Sequence, residues 1–303
     1  MKPGHKPSYL RLFNEGILRE RIEKMDTRID PCMLCPHQCL TNRKSKDTGN
    51  CHSGEYPVVA SYGPHFGEEP PLVGFHGSGA IFFSHCNLKC IFCQNYDISQ
   101  LGAGQTIQFE ELANIMVELQ LQGCHNINFV TPTHMVHAIL NALPRAIENG
   151  LRIPLVYNSG GYDSAETIRL LDGVFDIYMP DLKYFNNQTA YQLSGIPNYV
   201  EAATEAIREM HRQVGDLILD DQGIAIRGLI VRHLILPENL ADTFKSIDFL
   251  KSLSKETYLN LMDQYRPEYY AYQDPRMGRR ITSTEYANAV NYAKESGMKR
   301  FSN

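Results

Sequence analysis

The chain has 303 residues, of which 43% are hydrophobic and 21% charged, with a formal net charge of −5 and eight cysteines. That length and balance suit a folded domain with a full core and exclude a disordered chain or a small cystine-stapled scaffold. No apolar run approaches the roughly 20 residues of a membrane helix, and an acidic chain lacks the concentrated basic face that phosphate binding requires, so neither membrane nor nucleic acid is an expected partner.

Ser8 can cap a helix running through Leu10, Phe13, Ile17, Leu18 and Ile22, whose spacing places them on one face. The basic residues Lys2, Lys6, Arg11, Arg19, Arg21, Lys24 and Arg28 then read as its solvated side. Met1 to Pro7 is basic but no apolar h-region follows, so a cytoplasmic, reducing setting is expected. Next, Cys32, Cys35, Cys39 and Cys51 form C-x2-C-x3-C-x11-C in a loop-rich knot. Four thiolates make a closed site, which a zinc ion or an iron–sulfur cluster would satisfy equally, and unmetallated thiols are the third reading. From Tyr56 to Gly79 the chain is rich in Gly and Pro around Glu68-Glu69-Pro70-Pro71, which predicts an irregular connector lying over the main domain. The expected division is therefore residues 1–78, holding the helix, the knot and the connector, and a core at 79–303.

Strands are predicted at 80–83, 126–130, 153–157, 175–179, 226–236 and 258–262. Helices are predicted between them, from about 106 to 123, 137–148, 165–171, 200–214 and 243–253. Six strands separated by helices imply parallel pairing with right-handed crossovers, hence an α/β fold built as a partial barrel rather than a complete eight-unit one.

Directly after the first of these strands stands Cys86-Asn87-Leu88-Lys89-Cys90-Ile91-Phe92-Cys93, a C-x3-C-x2-C loop. Cysteine thiolates hold iron–sulfur clusters, usually four for one that only carries electrons. Three here would leave one iron with an open position for a substrate. A structural zinc site is the alternative, with His85 as a conceivable fourth ligand. Ligands in parallel α/β folds gather at the carboxyl ends of strands, which nominates Thr131-Pro132-Thr133-His134, Asn158 to Tyr162, Asp181-Leu182-Lys183, Arg232-His233 and Asp263 to Tyr265. A bland reading stands beside each: Asp181 and Lys183 as a salt bridge, Arg232 as an ion pair inside the barrel, and His134, His137 and His233 as structural histidines. Gly160-Gly161 reads as a tight turn, Cys124 as a buried inert thiol, and Tyr157 and Tyr265 as packing residues.

The triad loop resembles the signature of the radical S-adenosylmethionine (SAM) superfamily, C-x3-C-x-aromatic-C, with Phe92 at the aromatic place. The resemblance implies a (β/α)6 partial barrel in which Cys86, Cys90 and Cys93 hold a [4Fe-4S] cluster. It implies that the open iron chelates SAM, whose reductive cleavage gives a 5′-deoxyadenosyl radical that abstracts hydrogen from a substrate. Phe92, Thr131, Thr133, Asn158, Asp181, Lys183 and Arg232 are then the expected SAM pocket. Many members carry Gly-Gly-Glu after the second strand to hold the methionine ammonium, where this chain has Thr131-Pro132-Thr133. With Arg232 available for the SAM carboxylate through a bidentate fork, no catalytic side chain is singled out.

The knot, Tyr62 to Leu72, the triad loop and later pieces from Asn128 to Pro267 together resemble uncharacterised homologues of pyruvate formate-lyase activating enzyme. That likeness implies an oxidoreductase acting on a protein glycine, as activating enzymes do, or on an unknown small molecule. Flavodoxin or ferredoxin would be its electron donor. A non-catalytic iron–sulfur or zinc protein is the competing class, against which the barrel-sized remainder argues.

Overall fold

The computed structural model describes residues 6–45 and 47–302; Lys2, expected on the solvated helix face, lies outside them. Ten strands run β1 (Val58–His65), β2 (Ser78–Phe83), β3 (Gln105–Thr106), β4 (Ile127–Val130), β5 (Leu155–Ser159), β6 (Ile177–Pro180), β7 (Ile218–Leu219), β8 (Ala225–Leu234), β9 (Tyr258–Met262) and β10 (Phe301–Ser302). They form one sheet in the order β10-β9-β8-β6-β5-β4-β2-β1-β3, with β7 pairing β8 off this path. The six expected strands are β2, β4, β5, β6, β8 and β9, and each is parallel to the next. The sheet does not close on itself, so the architecture is the partial barrel that the alternation predicted.

Helices at Phe109–Leu121, Val136–Glu148, Ala165–Leu170, Tyr199–Val214 and Thr243–Leu253 supply the crossovers close to their predicted bounds. Their apolar faces pack against outward residues such as Ile127, Phe129, Tyr157 and Tyr178 in the main core. The alternate, inward residues Val156, Ile177, Met179, Ala225 and Ile230 form a second apolar cluster inside the barrel, as the two-residue side-chain period of a strand requires.

Two expectations are corrected here. The N-terminal helix is broken into Ser8–Asn14 and Ile17–Asp26 by Gly16, whose φ of 76° is left-handed. Ser8 does not cap it; its hydroxyl donates instead to Asp176 Oδ1 at 2.8 Å and fastens the helix to the barrel. The segment from Tyr56 to Gly79 is not an irregular covering. Its first half is β1, antiparallel to β2 from Val59↔Phe83 to His65↔Ser78. Gly63 and Pro64 are tolerated because β1 is an edge there: β3 pairs only Val58 and Val59. Its second half turns inward as the short helix Pro70–Val73 and places Leu72, with no exposed surface, in the inner cluster. Asn126 Nδ2 donates to Leu72 O at 2.9 Å, and Asn260 Nδ2 to Glu69 Oε1 at 2.9 Å, so the plug is held from both sides of the sheet.

An open barrel needs this filling. Leu72→Ala should therefore destabilise the protein by about 2–5 kcal/mol, the cost of removing a fully buried leucine. Urea unfolding measures it, and a loss below about 1 kcal/mol would contradict the plug's role.

Candidate functional site

The triad loop leaves β2 at the carboxyl edge of the sheet. His85 turns the chain with a φ of 68° and donates its backbone N–H to Ile98 O at 3.0 Å. The loop is then stitched to the end of the helix Asn187–Ser194: Lys89 N donates to Ser194 O at 3.1 Å and Ile91 N to Leu193 O at 2.9 Å. Asn87 Nδ2 donates to Tyr162 O at 2.7 Å, tying the loop to the end of β5. Phe92 is 6% exposed and packs edge-on against Tyr184 and Tyr265. It anchors the loop to the core as the expected apolar wall, and it is not an open pocket residue.

Each sulfur has a polar neighbour. Leu88 N donates to Cys86 Sγ at 3.4 Å, Ser194 Oγ donates to Cys90 Sγ at 3.0 Å, and Cys93 Sγ lies 3.0 Å from Ser99 Oγ. Burial, and then its neighbour Cys90, push the Cys86 thiol up to about 12. The Cys90 thiol is raised by burial against the opposing charge of Lys183. Free thiols so placed keep their protons, and ligation has to displace them. Among the described residues no three side chains of His, Cys, Asp or Glu stand in single-ion geometry, so a metal at either cysteine set would have to draw its thiols together. His85 supplies no fourth ligand from the loop; its ring lies over Gly102 and 6.3 Å from that of His52.

Facing the loop is a partly buried ionic network drawn from four of the expected pocket residues. Arg232 on β8 donates through Nε to Asp181 Oδ1 at 2.8 Å and through Nη2 to Asn158 Oδ1 at 2.7 Å. Lys183 Nζ donates to Asp181 Oδ2 at 2.6 Å. Burial would raise the Asp181 carboxyl, but Arg232 and Lys183 hold it below the usual carboxylate range. Burial likewise opposes charge on Lys183, yet Asp181 and Cys90 raise its pKa, which keeps it a cation beside the triad. The bland readings of Asp181, Lys183 and Arg232 as ion pairs are thus correct as contacts, and those contacts also line the edge where the loop sits. Gly161, at a φ of 81°, lets the chain after β5 approach closely, since a side chain there would strike Asp181 O.

Thr131 adopts a φ of 61°, a left-handed conformation rarely held by a β-branched residue. It is held there by Thr131 N donating to Asn158 O at 2.8 Å. The backbone thus bends as glycine would at this place, despite the absence of Gly-Gly-Glu. Thr133 departs from expectation: at 2% exposure its hydroxyl donates to Asp163 Oδ1 at 2.7 Å, so its side chain braces the loop from within. Tyr157 OH and Ser159 Oγ also donate to Asp163, at 2.8 and 2.6 Å. Burial raises the Asp163 carboxyl and the three hydroxyls oppose it.

The three histidines considered for proton or metal chemistry are structural. His134 Nε2 donates to Ser84 O at 2.8 Å, His137 Nε2 to Glu55 O at 2.6 Å, and His233 Nδ1 to Leu182 O at 2.6 Å. Three site residues escaped the sequence reading. Glu68 and Glu69 fall in the stretch expected as a connector lying over the main domain, yet Glu68 Oε2 lies 3.5 Å from Arg232 Nη1 inside the barrel. Burial raises the Glu68 carboxyl, with Arg232 opposing. The signal was an acidic pair leading into Pro-Pro-Leu-Val, a helix start that carries its acids inward with its leucine. Ser194 had no signal, because its partner Cys90 is remote in sequence. Of the knot, Cys32, Cys35 and Cys51 are buried and Cys39 is half-buried. Beside it is a cavity of about 530 Å³, lined by His37, Cys39, Asn50, His52 and Lys89 among others.

The family model of the Radical SAM superfamily matches residues 80–250. An uncharacterised protein of Methanocaldococcus jannaschii is 34% identical over 299 residues, spanning 95% of this chain and 82% of its own. A second uncharacterised protein of that organism is 26% identical over 297 residues, spanning 91% and 81%. Among solved structures, the FeFe-hydrogenase maturase HydG from Carboxydothermus hydrogenoformans superposes with a TM-score of 0.52 at 10% identity. That match covers 72% of this chain and only half, 50%, of the maturase, and the likeness is one of fold.

The buried histidines set a pH dependence. Burial pushes His134 down to about 3 and His233 down to about 4, and it holds His137 well below 6.5. Unfolded histidines take up protons near pH 6.5, while the native ones refuse them. Stability is therefore complete above about pH 6.5 and is lost as pH falls towards 4, by up to about 1.4 kcal/mol per pH unit for each histidine. Urea unfolding at pH 7.5 and 5.5 tests this, and equal stabilities would refute it.

Proposed function

This chain belongs to the radical SAM superfamily, and on that footing we propose that it generates a 5′-deoxyadenosyl radical at the carboxyl mouth of its barrel to abstract hydrogen from a bound substrate. The observation that carries the reading is the placement of the triad loop against the Asp181–Lys183 pair. A [4Fe-4S] cluster and SAM are the cofactors of this superfamily, and of this enzyme. Cys86, Cys90 and Cys93 would hold the cluster. When bound and reduced, it supplies the electron that cleaves SAM to methionine and the radical.

The protein's own residues bind and orient. Arg232 uses Nε on Asp181 and Nη2 on Asn158, so it positions the acid, and its Nη1 faces Glu68 at 3.5 Å. Lys183 remains charged next to Cys90 and uses one N–H on Asp181. It has donors left for an anionic group, which makes it the better partner for the SAM carboxylate. The bent backbone at Thr131 to Thr133 presents carbonyls where superfamily members place an acid, and these can accept from the ammonium. Ser194 and Leu88 N–H donate to sulfur, a means of tuning cluster potential.

Two substrate classes have support. The run of sequence resembling activating enzymes supports a glycine of a partner protein, with a flavodoxin- or ferredoxin-type carrier as electron source. The barrel interior supports a small polar molecule: Asn128 is fully buried, and neither its amide oxygen nor its nitrogen has a hydrogen-bond partner. Buried amides left so are costly, and a polar ligand would satisfy them.

Anaerobic reconstitution with iron and sulfide, followed by reduction with SAM, should yield 5′-deoxyadenosine, and Cys90→Ala should abolish it. Lys183→Met should keep the cluster's iron and weaken SAM about 10- to 100-fold, as expected for losing a charge-assisted hydrogen bond. No 5′-deoxyadenosine from the loaded wild type would refute the reading. A persistent glycyl signal in electron paramagnetic resonance with a candidate partner would decide for the protein substrate.

A further inference from the structure

Cys32, Cys35, Cys39 and Cys51 take no part in the chemistry above, yet the fold brings them together. Backbone bonds fold the knot on itself, Cys32 N donating to Thr41 O at 2.8 Å, Leu40 N to Cys32 O at 3.1 Å and Gln38 N to Cys35 O at 3.0 Å, and none of the four is in a disulfide. Backbone N–H groups point at the sulfurs, from His37 to Cys35 and from Asn50 to Cys39 at 3.4 Å. The knot turns through three left-handed residues that are not glycine: Gln38, Leu40 and His52, with φ of 43°, 57° and 52°. Such conformations persist only where the surroundings impose them.

A second observation concerns Arg43. Its side chain is 1% exposed. Nε donates to Ser53 O and Gly54 O, both at 3.1 Å, Nη2 to Gly54 O at 2.6 Å, and Nη1 to His134 O at 2.6 Å. All of its acceptors are neutral carbonyls, and among the described residues it forms no ion pair with a carboxylate. A buried cation without a counter-charge costs several kcal/mol. Four thiolates around a divalent zinc or a [4Fe-4S] core carry a net charge of about −2. Ser53, which receives Nε of Arg43, lies two residues beyond Cys51.

We propose that Cys32, Cys35, Cys39 and Cys51 form a second, closed metal site that takes one zinc ion or one iron–sulfur cluster through four thiolates. It balances the buried Arg43 and braces the triad loop. The brace is His37, between the second and third cysteines: its Nε2 donates to Asn87 O at 2.8 Å, next to Cys86, while Asn50 Nδ2 donates to its Nδ1 at 2.9 Å. Arg43 ties the same knot to His134, at the end of the bent segment after β4. His37 is thereby committed on both nitrogens, which leaves the ligand set all sulfur.

The site goes beyond the proposed function and is separable from it. The full chain with Cys86, Cys90 and Cys93 all changed to Ala, purified without oxygen, should still hold one metal centre. That centre is read as about one zinc without sulfide or about four irons with matching acid-labile sulfide, and the metal analysis tells which. Adding Cys35→Ser and Cys51→Ser should remove it. A folded triad-less chain free of both metals would overturn the site, as would metal retained after the two serine changes. Should that chain not fold, the reconstituted wild type gives the same answer. It should hold about one zinc or about four irons beyond the triad's own four, and four irons with nothing further would overturn the proposal.

Discussion

One carboxylate inside the barrel organises the rest. Asp181 accepts from Arg232 on one oxygen and from Lys183 on the other, at 2.8 and 2.6 Å, in a setting where unpaired charges are costly. Because both oxygens are used, the two cations cannot move independently. Arg232 is further pinned by Asn158, and Asn158 through its carbonyl oxygen holds the backbone of Thr131. The ends of β4, β5, β6 and β8 therefore share one hydrogen-bonded unit. Lys183 extends it to the edge of the cysteine loop, so loop and pocket geometry are coupled through a short polar path.

That network requires a dry, filled barrel, and an open sheet does not provide one by itself. The stretch from β1 to the helix Pro70–Val73 does so by adding an antiparallel strand to one flank and a leucine plug to the interior. It also carries Glu68 and Glu69 inward, where they meet Arg232 and Asn260. Structural closure and the polar character of the interior thus come from the same few residues. The interior therefore has a floor set by this segment and walls set by the strands.

The legibility of the chain varied with the range of the interactions. Strands and crossover helices were legible because their apolar period is local, and the helix at Thr243–Leu253 begins and ends where its pattern does. The connector was misread because Gly63, Pro64 and the Glu-Glu-Pro-Pro run are local turn signals, whereas their structure follows from pairing with β2 and from the cavity the barrel leaves open. The cysteine triad stood out by its spacing alone, on the loop directly after the first core strand. Asn158, Asp181, Lys183 and Arg232 were placed at the functional edge by strand-end reasoning. That they form one bonded group depends on strands adjacent in space, with Asp181 opposite Arg232 across fifty residues of chain. For Thr133, a strand-end hydroxyl cannot show from sequence whether it points outward or, as here, into the Asp163 network.

By itself the sequence determined what depends on covalent neighbours: the parallel partial barrel, the triad of thiols on the loop after its first core strand, and the second set of four. Ligand spacing and hydrophobic period are short-range, so no other part of the chain can alter them. Only the tertiary structure decided which charges neutralise one another, which acids lie inside, and how the knot reaches the triad loop. Those outcomes rest on desolvation, and whether a side chain is dry is settled by residues far from it in the chain.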